Sequence, residues 1–87
     1  MNSNNNKVCV DLIVPCIEER YNVFIPVNKK TIEIIFLLNK AINEMTNGAY
    51  AISEHLSLIN ADDGTVYEVE NTFLENKILN GAKLILL

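Results

Sequence analysis

The sequence contains no tryptophan, a single histidine, two cysteines, two prolines and three glycines. No apolar run approaches the roughly 20 residues that a membrane-crossing helix requires. Each shortage excludes a class of protein. Two cysteines cannot build a disulfide scaffold, nor supply the four thiolates of a cluster-binding ferredoxin. Cys9 and Cys16 are seven positions apart. In an extended strand that separation is roughly 23 Å, against the roughly 4.4 to 6.8 Å between the Cα atoms of a disulfide, so both are expected as free thiols in a reducing cytoplasm. With His55 the only histidine, no Cys-His or Ser-His pair forms without it, and beside Glu54 at a strand edge it reads as a surface side chain. The three glycines are all accounted for by turns or a helix cap, which leaves no glycine-rich phosphate loop.

Basic residues are scarce as well. Seven Lys and Arg stand against eleven Asp and Glu, a formal net charge of −4, which argues against sequence-independent binding to nucleic acid. The only adjacent basic pair, Lys29-Lys30, reads as a solvated loop. The acids are scattered over turns and a polar helix face, so no pair drives two carboxylate pKa values apart. Asp62-Asp63-Gly64 lacks the further oxygen ligands of a calcium loop and reads as a turn. No catalytic residue, metal or cofactor is expected, and the chain reads as a non-enzyme without direct membrane insertion. Residues 1–6, Met-Asn-Ser-Asn-Asn-Asn, have no basic cluster followed by an apolar core, so they read as a disordered leader and not as a secretory signal.

What is present is a pattern of alternating strands around one helix. In 87 residues there is room for one domain, here residues 7–87. Lys7–Val14 is β-rich, with Val8, Val10, Leu12 and Val14 on one face. A hairpin loop over residues 15–20 leads to a strand over residues 21–27, with Val23, Ile25 and Val27 inward and Asn22, Phe24 and Pro26 outward. Thr31 stands at a helix N-cap position, with Glu33 in the first turn favourable to the helix dipole. At about 100° per residue, Ile34, Ile35, Leu38, Ala41, Ile42 and Met45 form an apolar face opposite Glu33, Lys40 and Glu44. Asn47-Gly48 ends the helix. Phe36 falls among Asn39, Lys40 and Asn43, off that face, and reads as a rim contact to a loop before a docking residue. Residues 56–60 form the next strand, Asp62-Asp63-Gly64 a hairpin turn and residues 65–69 a return strand. A short helical turn begins at Asn71 or Thr72, Ile78 enters the core, Asn80-Gly81 reverses the chain, and residues 83–87 form the last strand.

Two strands, a helix, then further strands is the β-grasp order: an α+β fold in which one long helix packs on one face of a mixed sheet. The segment from Thr72 to Leu87 resembles the closing segment of ubiquitin-like domains. Thr31-Ile-Glu, Leu56-Ser-Leu-Ile-Asn with its acidic turn, and Leu79-Asn-Gly-Ala-Lys-Leu-Ile-Leu extend the similarity to the YukD-like, or EsaB-like, ubiquitin-like proteins of Gram-positive type VII secretion systems. That resemblance implies a small cytoplasmic accessory protein without conjugation chemistry, working beside a membrane ATPase and its partners. A sulfur carrier or modifier of the same fold is the alternative, and it is disfavoured because such proteins end in Gly-Gly whereas this sequence ends on Leu87.

A helix on one face of a sheet leaves the other face to solvent. Alternation puts Ile13, Phe24, Ser57, Ile59, Ile85 and Leu87 there, mostly apolar where polar residues are usual. Such a patch marks a protein contact, here expected for a secretion-system partner. A homodimer, a loop or the leader are the other candidates to cover it, and Phe36 is the secondary contact.

Overall fold

A computed structural model describes residues 6–54 and 56–87. Of the disordered leader expected over residues 1–6, residues 1–5 lie outside these residues, as does the expected surface His55. β1 is Lys7–Val14, and Val10, Leu12 and Val14 are buried as the alternation requires. Pro15–Ile17 makes one 3-10 turn, Glu18 takes a left-handed φ of 54°, and pairing resumes at once. β2 therefore spans Glu19–Pro26, starting two residues earlier than its sequence suggests, with Glu19 opposite Val14 and Arg20 opposite Ile13. Asn6 is not free of the fold, since its carbonyl accepts the Val27 N–H at 2.8 Å.

α1 is Thr31–Met45. Its N-cap is Lys30, not Thr31. The first amides find acceptors elsewhere: Thr31 N–H donates to the Asn71 carbonyl at 2.8 Å and Ile32 N–H to the Val69 carbonyl at 2.9 Å. The buried Thr31 hydroxyl donates to Asn71 O and accepts from Asn76 Nδ2. The orphan donors of the helix start are thus satisfied by a segment far along the chain, which removes the need for a side-chain cap. Ile34, Ile35, Leu38 and Ile42 are buried as expected, while Ala41 and Met45 are exposed. Asn39 departs further from its polar reading. It is 2% exposed, with Nδ2 donating to Ser53 O at 2.9 Å and Oδ1 accepting from Ser53 N–H at 3.2 Å. Asn43 Nδ2 donates to Tyr50 O at 2.7 Å. The two asparagines hold the outgoing loop against the helix, and Tyr50 is buried beneath it. Gly48, at φ 86°, makes the stop, its N–H donating to Asn43 O.

β3 is only Leu58–Asn60, though Ser57 and Leu87 exchange backbone bonds at 2.7 and 3.0 Å beyond it. The expected return strand reduces to one bridge, Ile59 to Val66. Turn chemistry explains the shortening. Asn60 Oδ1 accepts from Asp62 N–H, and Asp63 Oδ1 accepts from Thr65 N–H at 2.9 Å, so side chains take main-chain donors that a ladder would use. That bond from Thr65 holds the Asp63 carboxyl below its ordinary value. Thr72 and Glu75 form a reciprocal capping box around a turn that buries Phe73. At the last reversal Gly81 has φ 84°, its N–H donates to Cys9 O, and Asn80 Oδ1 accepts from Cys9 N–H. β4, Lys83–Leu86, then pairs parallel to β1. The mixed sheet has the order β2-β1-β4-β3, and Leu84, Leu86, Leu58, Ile78 and Phe73 join the inward side chains of β1 and α1 in one core. Burying each large aliphatic side chain contributes roughly 1.5 to 3 kcal/mol.

Candidate protein-binding surface

The face of the sheet away from α1 is built by register. Ile13 pairs with Ile85, Ile85 with Ile59, and Ile59 with Val66, so four β-branched side chains cross three strands and the bridge in one unbroken row. Paired positions share a face, and β-branched neighbours on a pleated surface pack against one another. The three isoleucines are accordingly half-buried by each other, while Val66 at the end of the row is exposed. The next rung along the strands, Ser57 with Leu87, extends the row, and Leu87 is 55% exposed. At that end a recess of about 360 Å³ opens between Pro15, Cys16, Tyr50, Leu56, Leu86 and Leu87.

A polar rung borders the row on its other side. Asn22 pairs with Asp11 and Asp11 with Lys83. Arg20, opposite Ile13, is ion-paired with Asp11 at 2.5 Å, and that bond raises the guanidinium pKa further above its already high value. Apolar centre and charged rim are the anatomy of a protein interface.

Not all of the expected residues belong to this surface. Phe24 shares its face but pairs with Cys9, two outward rungs or roughly 13 Å along the strands from the isoleucine row, beyond the polar rung. It is 72% exposed and stands at the outer edge of the sheet. Phe36, 63% exposed, is on the opposite side of the molecule, at the rim of a recess it shares with Ile32, Ile35 and Ile52. Val66 was missed by sequence reasoning, because a return strand read as regular gives no reason to single out the one residue that bridges Ile59. Ile32 and Leu37, both exposed, were missed for a different reason: helical periodicity assigns the inner face well but leaves apolar residues on the outer face unexplained. Both cysteines are free; Cys9 is half-buried and Cys16 exposed. Among the described residues no cluster of three or more His, Cys, Asp and Glu side chains could hold a metal ion, and no helix is long and apolar enough to cross a membrane.

A helix laid across a four-stranded mixed sheet of this order defines a ubiquitin-like domain, and solved structures agree. The chain is similar to the ubiquitin-like domain of EccD5 from Mycobacterium xenopi, with a TM-score of 0.75 and 18% identity over 93% of this chain and 92% of that one. It is similar to the ubiquitin-like domain of the type VII secretion protein EccD1 of Mycobacterium tuberculosis, with a TM-score of 0.72 and 9% identity over 93% and 97%. A third match, at a TM-score of 0.75 and 16% identity, lies in an ESX-5 inner membrane complex, where the chain covers 21% of the matched protein. At such identities the likeness is one of fold. No protein-family model and no curated protein matches the sequence.

Proposed function

We propose that this ubiquitin-like domain is a non-enzymatic protein-binding adaptor of type VII protein secretion, acting at the cytoplasmic side of the membrane on a protein component of the secretion machinery. The observation that carries it is the row Ile13, Ile85, Ile59, continued by Ser57 and Leu87: an apolar strip on a sheet face that nothing described in the fold covers. Desolvating that strip against a partner supplies binding energy at roughly 25 cal/mol per Å², while the Asp11, Arg20 and Lys83 rim orients the partner. The secretion link is supported by the fold shared with the EccD5 and EccD1 ubiquitin-like domains and with a protein of an ESX-5 inner membrane complex. Within type VII secretion the sequence resemblance favours the YukD/EsaB-like group. Phe24 and Phe36 lie off the strip and are assigned no part in this contact.

The test is a pull-down of secretion-system proteins by the folded chain and by Ile85→Asp. Ile85 is half-buried at the centre of the row, so the charge meets solvent in the free protein but is desolvated in a complex. Retention of the same partner by wild type and its loss with Ile85→Asp, at an unchanged melting profile, is the expected result. Equal retention by both removes the sheet face as the site.

A further inference from the structure

The sheet has two edges, and only one is closed. Beyond β3, Tyr67 N–H donates to Leu58 O at 3.0 Å, Asn60 N–H donates to Thr65 O at 2.8 Å, and Val66 bridges Ile59. Beyond β2, no described residue pairs with the strand. Counting the antiparallel alternation from the Val27–Asn6 bond, the N–H and C=O groups of Asn22 and Phe24 and the carbonyl of Pro26 point away from β1. Natural edges of this length are blunted by lysines, bulges or cover. Here the centre of the strand is Val23-Phe24-Ile25, and only Pro26, which has no N–H to offer, blunts its end.

Alongside that edge runs a groove of about 310 Å³, between residues 23–26 of β2 and Ile34, Leu37, Leu38 and Ala41 of α1. Leu37 on its outer rim is 49% exposed. We propose that this edge and groove take an extended segment of a partner protein, which adds to the sheet as a fifth strand beside β2 and seats alternate apolar side chains under Leu37. The unpaired main chain selects the occupant. A docked helix has its own N–H and C=O groups bonded internally, so it would fill the groove while desolvating those of Phe24 without a partner. A second copy pairing through its own β2 would bring Val23 and Ile25 already packed beneath its own helix, leaving no free side chains for the groove. An extended segment satisfies both the edge and the groove, the mode by which peptides augment sheets. Past the groove, β2 runs to Glu19 and α1 to Glu44, both exposed carboxylates; with Arg20 already paired with Asp11, Lys40 is, among the described residues, the one cation set against them, an acidic balance that favours a basic residue flanking the apolar core of the segment.

This surface lies apart from the isoleucine row, so the two are tested independently. The probe is the end-blocked peptide Lys-Val-Thr-Val-Thr-Val-Lys, added to the full chain while amide hydrogen exchange is followed by NMR. In the free protein the Asn22 and Phe24 amides exchange fast while their neighbours Val23 and Ile25 are protected. The peptide slows Asn22 and Phe24; an analogue with alternate nitrogens methylated, identical in side chains, does not. Leu37→Glu weakens the peptide at least about tenfold at an unchanged melt, whereas Ile85→Asp leaves it unaltered. No slowing at millimolar peptide overturns the site, as does equal binding of the methylated analogue. Equal or tighter binding of the Glu-flanked counterpart overturns the basic partner. Protection of Phe24 in the free protein that vanishes on dilution makes the occupant a second copy and overturns the partner segment.

Discussion

Three side chains carry more of this protein than their types suggest. Phe73 is fully buried, in a turn held by the Thr72-Glu75 box, by its own backbone bonds and by the Leu74 N–H donating to Val27 O. Phe73→Ala is expected to cost roughly 3 to 5 kcal/mol, read from urea unfolding; a loss below about 1 kcal/mol would mean the site collapses around the cavity. Asn39 replaces a loop's missing main-chain partners with its own amide, accepting from and donating to Ser53. Tyr50 sets a pH limit. Unfolded, its phenol ionises near 10.0; folded, burial first and the nearby Cys16 thiolate second hold it protonated to higher pH. The stability gained by keeping it neutral is complete below the unfolded value and is lost as pH rises through the folded one. Urea midpoints across about pH 8 to 11 should fall more steeply for wild type than for Tyr50→Phe above about pH 10, and parallel profiles would reject this assignment.

At the scale of elements, β4 divides a buried face from an open one within four residues. Leu84 and Leu86 are buried against β1, β3 and the helix, while Ile85 between them faces the open side. Leu84→Ala or Leu86→Ala should each lose roughly 2 to 5 kcal/mol in a thermal or urea melt. Ile85→Asp should unfold near the wild-type midpoint. The reverse pattern would shift the register by one residue and exchange the faces. The start of α1 shows the same economy between distant segments. The Asn71 and Val69 carbonyls accept its first two amides, so the docking of residues 69–71 completes the start of the helix. Thr31→Val removes the buried hydroxyl that joins Asn71 and Asn76, and is expected to cost about 1 to 3 kcal/mol in the same melts by taking one hydrogen bond from each, Asn71 O keeping the Thr31 N–H and Asn76 Nδ2 keeping Glu68 O. A neutral Thr31→Val would mean water takes the place of the hydroxyl.

For the molecule as a whole, the arrangement is a thin core with two unlike outer surfaces. The centre of the sheet, β1 between β2 and β4, has ladder partners on both sides, whereas residues 61–70 are held by side-chain turns, one bridge and scattered backbone bonds. Native-state hydrogen exchange should therefore give global-unfolding protection at Val10 and Leu12 and early, local opening over residues 62–66; uniform protection across both would contradict a graded stability. One surface is the open face of the sheet at β1, β4 and β3, the other the edge of β2 beside α1. Charges at Ile85 and Leu37 should therefore act additively, each removing its own contact and sparing the other.

The order of strands and helix, the face on which Val10, Leu12, Ile34, Leu58, Leu84 and Leu86 are buried, and the isoleucines of the open face were all legible in the sequence. Periods of two and about 3.6 residues are local properties of the chain, and one buried face per element follows from them. Turn glycines were legible too, since Gly48 and Gly81 adopt the positive φ that their turns require. What depends on contact between distant segments was not. Asn39 and Thr31 are polar, and it is their bonds to distant groups, to Ser53 for the one and to Asn71 and Asn76 for the other, that make burying them favourable. Phe24 and Ile13 look equivalent by alternation, yet lie on different rungs with a charged rung between them, because register across three strands sets lateral distance. The open edge of β2 and its groove follow from strand order, and strand order is decided when β4 inserts beside β1, a long-range pairing that no local pattern records.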